Sequence, residues 1–88
     1  MAFEGMDPGQ VQQLANQMSN AASEIQHVCS QLTNMLGNTQ WVGQDHDRFV
    51  SDWQGSHVPQ LTAVANALQD EATKANFEAQ QQINASST

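Results

Sequence analysis

Three histidines, one cysteine and a short run of aspartates are the residues whose types could do chemistry. His27, His46 and His57 with Cys29 would suggest a zinc site, which needs three or four N and S ligands converging at fixed spacing. Cys29 stands two residues from His27, on a different face of any helix carrying both, and no acid or second cysteine completes a set. Asp45, Asp47 and Asp52 have the type of general acids or bases, but no nucleophile–base pair accompanies them. They fit better as partners of a helix dipole and as a solvated face. The reading is therefore a non-enzyme with no metal and no cofactor: there is no Gly-rich phosphate loop and no nucleophile elbow. A histidine at a dimer interface would charge on acidification and weaken pairing. Cys29 most simply acts as a small apolar residue; the sharper alternative is a disulfide between two copies that meet closely.

The elements that would position these residues are helices. Asp7-Pro8 is a helix start, because Asp caps free backbone N–H groups and Pro at the first helical position loses no hydrogen bond. Val11, Leu14, Met18, Ala21, Ile25, Val28, Leu32 and Met35 follow a 3-4 spacing, a coiled-coil-like seam. Beside it run Ala15, Ala22, Cys29 and Leu36, seven apart and mostly small, so another helix could approach closely there. Together they make a face wide enough for two neighbours. The spacing predicts a first helix over 8–36, with Gly37 ending it in the left-handed conformation. A corner over 37–43 holds Trp41 and Gly43, the Trp plugging the space between two helices and the Gly taking backbone angles closed to other residues.

A second helix is predicted over 44–80, its stripe carried by Phe49, Trp53, Leu61, Val64, Leu68, Ala72, Ala75 and Ala79. Pro59 interrupts it, pressing on the carbonyl of Gly55. Residues 55–59 read as a kink that the helix accommodates; the alternative is a break into two shorter helices. Residues 1–6 read as a loose arm and 81–88 as a frayed tail, where periodicity is lost. Folding the chain about residues 40–41 sets Leu32 against Phe49, Val28 against Trp53, Ala21 against Leu61 and Leu14 against Leu68, with Phe49 and Trp53 in the core.

At 88 residues the chain holds one small domain, an all-α antiparallel hairpin. A hairpin has no third layer to cover its apolar surface, and pairing into a four-helix bundle is the usual remedy. The formal net charge is -7, with Arg48 and Lys74 the only strong cations, which argues against nucleic acid or an anionic membrane as partner. A membrane-active helix is disfavoured on the same ground. No apolar run is long enough to span a bilayer, so no stable membrane insertion is expected. Met1-Ala2-Phe3-Glu4-Gly5 has neither a positive nor an apolar signal region, so a Sec leader is not expected.

Trp41-x-Gly43 in a central corner resembles the WXG family of about one hundred residues, the early-secreted-antigen-like small substrates of type VII secretion systems. The likeness covers nearly the whole chain: length, Asp-Pro before a long first helix, the corner, then Phe49 and Trp53 at helical spacing. It implies a hairpin that pairs into a four-helix bundle, with itself or with a paralogous WXG-type hairpin. It further implies export in folded form by the membrane ATPase of a type VII machine, after folding in the cytoplasm of Gram-positive or actinobacterial cells. Many members or their partners carry a C-terminal Tyr-x-x-x-Asp/Glu export signal. Here Phe77-Glu78-Ala79-Gln80-Gln81 is the nearest match, with Phe77 in the Tyr place and Gln81 in the acid place. Either the signal is relaxed or a partner supplies it.

The expected function is that of a small, non-catalytic secreted interaction protein, a substrate or an escort of a co-secreted partner. Its pairing surfaces would be the 3-4 seam of the first helix with Phe49, Trp53, Leu61, Val64 and Leu68. The alternative is a cytosolic helical adaptor or scaffold that uses the same stripes on an unrelated partner.

Overall fold

Asp7 starts the first helix: its Oδ1 accepts from the Gln10 N–H at 3.2 Å, and Pro8 occupies the first turn. The computed structural model describes residues 5–87, and among them the chain is an extended, all-helical hairpin without a strand. Of the arm expected over 1–6, residues 1–4 lie outside the described residues, and Gly5 and Met6 are non-helical. Helix α1 spans Pro8–Asn38, residues 39–43 form the corner, α2 spans Gln44–Asp52, a π-turn covers Trp53–His57, and α3 spans Val58–Ser87.

Gly37 does not end α1. Positive φ among the described residues occurs only at Gly5 and Gly43, and α1 continues through Asn38. Thr39 stops it instead, with extended backbone (φ -87°, ψ 135°) and a hydroxyl that donates to the Met35 carbonyl. Once the chain leaves the helix extended, no left-handed residue is needed at its end. Gly43 does carry the special conformation, φ 129° with ψ -177°, as it opens α2. Asp45 and Asp47 lie in the first turn of α2, at the positive end of its dipole.

These two glycines respond oppositely to alanine. A Cβ on Gly37 meets nothing within 4 Å. In a helix the change should stabilise by about 0.5–1 kcal/mol. Gly43→Ala meets open space too, but its backbone angles are nearly closed to L-residues, so a loss of about 1–3 kcal/mol is expected. Urea denaturation followed by circular dichroism checks both, and shifts of the same sign would refute this account of the corner.

Pro59 leaves the second arm helical. The Val58 N–H reaches back five residues to the Trp53 carbonyl, and this wider turn relieves the ring's pressure on the carbonyls behind it. Gly55 lies inside that turn. The tail expected to fray is helical as far as Ser87; Thr88 lies outside the described residues. Loss of apolar periodicity over 81–87 removes burial but not helix propensity, and Gln80 Nε2 donates to Asn84 Oδ1 one turn on at 3.3 Å.

The two lines of α1 divide differently from the sequence expectation. The line that packs against the other arm is Ala15, Ala22 and Cys29, with Leu36 half-buried behind them, and it meets Ala65, Ala72 and Ala79 of α3. Both sets recur every seven residues, which keeps the seam facing its partner. Of the 3-4 line, Val11, Met18 and Ile25 are half-buried, whereas Leu14, Ala21, Val28, Leu32 and Met35 are exposed. Alanines facing alanines bring the backbones together; Leu and Ile facing each other would hold them apart. The bulky line is left on the side.

Register also moves. Ser19 Oγ donates to Gln69 Oε1 at 3.2 Å, and Trp53 Nε1 donates to Thr33 Oγ1 at 2.9 Å. Ser19 therefore lies level with Gln69, and Thr33 with Trp53. Val28 and Trp53 are not opposite, nor are Ala21 and Leu61, or Leu14 and Leu68. The fold point lies near Gly43 and Gln44 rather than Trp41, because α1 runs on to Asn38 and the corner crosses its end in extended form.

The result is a rod of 66 × 18 × 15 Å with a radius of gyration of 19.4 Å. A compact chain of this length would have a radius near 12 Å. Among the described residues no large side chain is fully buried. Hydrophobic stabilisation grows with apolar area removed from water, and an alanine seam removes little.

Candidate interaction surface on one face of the hairpin

Helical geometry puts α1 residues 25 and 32, and 28 and 35, on shared lines, since seven residues make nearly two turns. Ile25 and Val28 share a hollow of about 180 Å³ with Leu61 of the other arm, bordered by Glu24. Two turns on, Leu32 and Met35 line a second hollow of about 270 Å³ with Leu36, Trp41, Phe49 and Trp53. The two hollows are one surface, running from mid-rod to the corner. Leu14, 54% exposed, extends it along α1 towards the open end, and Val64, 50% exposed, lies beside Leu61 and half-buried Leu68 on α3. The 3-4 line and the α3 apolar residues thus lie together, on the flank of the hairpin rather than inside it.

The opposite flank is polar. Ser19 and Gln69 bridge the arms there, with Gln69 Nε2 also donating to the Ser19 carbonyl at 3.5 Å. Thr33 Oγ1 accepts from Trp53 and donates to the Cys29 carbonyl at 2.7 Å. Sequence reasoning missed Ser19, Thr33 and Gln69. Their signal was a hydroxyl or amide four residues after Ala15, Cys29 and Ala65, on the far side of the seam from the bulky line.

Trp41 covers the gap between the end of α1 and α2 without filling it. Its ring stands edge-on to His46, centroids 5.3 Å apart, and tilted against Phe49 at 5.9 Å. It remains 39% exposed and lines the hollows on both sides of the gap, the larger about 330 Å³ with Thr33, Leu36, His46 and Val50. Trp53 is buried, as the helical spacing predicts, but Phe49 is not core: it is 46% exposed. None of the residues of α2 is buried, and Phe49 lines the open hollow that it shares with Leu32 and Met35.

The remaining chemistry-bearing residues are dispersed. His27 and His57 are exposed, and the His57 ring lies 6.3 Å from Trp53. His46 Nδ1 lies 3.4 Å from Asp47 Oδ1 at the corner. Among the described residues no group of three His, Cys, Asp or Glu is placed to hold a metal ion. Cys29 is buried in the seam and borders a hollow shared with Val58 of the other arm. Its place in the seam is that of a small apolar residue. Phe77 is 64% exposed and Gln81 is exposed, near the open end of the rod. Among the described residues no helix is long and apolar enough to cross a membrane.

Compared with family models, with curated proteins and with solved structures, the chain finds no match.

Proposed function

We propose that this chain is a WXG-type interaction protein: a non-catalytic helical hairpin that pairs into a four-helix bundle and is exported, folded, by a type VII secretion system. It serves there as a substrate or as the escort of a co-secreted partner, itself a copy of this chain or a paralogous hairpin. The observation that carries the reading is the apolar flank left open along a rod whose own seam is alanine. Covering such a surface with a second hairpin would supply the burial that the seam lacks.

Two further features support it. Trp41 and Gly43 lie at the turn between the long arms, Gly43 at positive φ. Phe77 and Gln81, the residues similar to the export signal, present themselves at the surface of α3 rather than in the seam. A ring on an outward face is open to a reader such as the export ATPase.

The test is genetic. Deleting the ATPase motor of the type VII system in the producing cell should abolish the extracellular protein and leave the cytoplasmic pool intact. Unchanged extracellular levels would sink the export reading. A cytosolic adaptor would be absent from the medium in both strains.

A further inference from the structure

The open flank is apolar in the middle and acidic at its edges. Glu24 borders the hollow formed by Ile25, Val28 and Leu61. On α3, Val64, Glu71 and Glu78 stand seven apart, so the exposed line that begins as Val64 continues towards the open end as two carboxylates. At the other end of the rod lie Asp45, Asp47 and Asp52. The two strong cations are already beside acids of their own helices, Arg48 at 3.3 Å from Asp45 and Lys74 at 3.3 Å from Glu71. The rest of the surface is largely Gln, Asn, Ser and Thr. Few charges are present, and their sign is nearly uniform.

From this we infer that the occupant of the flank is a second, different helical chain, whose apolar stripe is bordered by lysine and arginine. The inference rests on the pairing reading above and selects among its partners. Two copies of this chain fit each other poorly in either direction. With open ends together, Glu71 and Glu78 of each copy meet. With open end against corner, they meet Asp45 and Asp52, which lie one turn either side of Phe49 on its face of α2. Charges flanking an apolar helical seam decide partner choice in this way, since like charges across it repel and opposite charges select. A basic-edged hairpin meets acids in both orientations and gains from each. The long-range field of a chain of net charge -7 would also speed its capture at low salt.

A defined probe is available in the chain itself. A variant carrying E24K, E71K and E78K keeps the apolar stripe and reverses its edges; all three positions are exposed, and the ion pair it breaks, Lys74–Glu71, is itself exposed, so circular dichroism should show the hairpin retained. Sedimentation equilibrium on full-length wild type, variant and their mixture, at 50 mM and 1 M NaCl, reads out the preference. Wild type alone should self-associate weakly at low salt and at least about tenfold more tightly at 1 M, where the screening length falls to about 3 Å. The triple glutamine variant E24Q, E71Q and E78Q should reproduce that gain at low salt, separating charge from general salting-out.

The wild type–variant mixture should form a 1:1 pair at least about tenfold tighter than either homodimer at low salt, an advantage that shrinks at 1 M. A wild-type homodimer as tight as the mixed pair at low salt would overturn the inference and leave the pairing reading standing, with a second copy as occupant. Absence of association in every combination and at both salts would overturn both.

Discussion

Trp53→Ala should destabilise the hairpin by about 3–5 kcal/mol, the range for truncating a large buried aromatic. Among the described residues Trp53 is the one large side chain that is buried, the others being alanines and Cys29. It also joins the arms: its Nε1 donates to Thr33 Oγ1, whose hydroxyl is itself committed to the Cys29 carbonyl. Trp53→Phe separates the two contributions. It keeps most of the ring and removes the indole donor, so its cost should be smaller, about 1 kcal/mol for a single hydrogen bond. Urea titrations at one fixed protein concentration measure both, since any pairing adds to apparent stability by mass action. A Trp53→Ala loss under about 1 kcal/mol would show that the corner end is held by something other than this ring.

The second large effect is expected at the alanine seam. Ala22 and Ala65 have no exposed surface, and each is buried against the other arm in the seam. Enlarging either to leucine forces the helices apart or the side chain off its rotamer, at about 1–3 kcal/mol each. Because the neighbouring seam residues are also small, displacement would travel along the rod rather than be absorbed locally. Leu14→Ala is the contrasting change. It removes more apolar atoms, yet from an exposed position, so the unpaired hairpin should shift by less than about 0.5 kcal/mol. If Leu14→Ala proved the more damaging in the isolated chain, the assignment of seam and flank would be reversed.

That assignment is also where sequence reasoning fell short. Asp7-Pro8, the turn at Gly43, the accommodation of Pro59 and the burial of Trp53 were legible because each follows from one residue's local chemistry. Which of two parallel lines forms the seam does not. Hydropathy favours Leu, Ile and Val over Ala, but close approach depends on what the other arm presents at the same level. Ala15 and Ala22 become the seam only because Ala65 and Ala72 come opposite them. That pairing depended on the register, and the register depended on where the corner starts. Setting the fold point at residues 40–41 rather than near Gly43 and Gln44 carried the error along the whole rod, so that Trp53 lies level with Thr33 and not with Val28. Of the candidate surface, the apolar line could be read from its spacing; its exposure, and that of Phe49, was not legible because it depends on which flank the second arm leaves open.

The π-turn has a consequence for phase. Leu68 and Leu61 are seven apart, and an uninterrupted helix would bring Gln54 next on their line. The extra residue in the turn slips the count by one and brings Trp53 there instead; Gln54 stays in solvent while Trp53 is buried. One residue corresponds to about 100° of rotation about the helix axis. The turn at Gly55 therefore works as a vernier between two halves of one arm: without its offset the aromatic corner would face away from the stalk it closes.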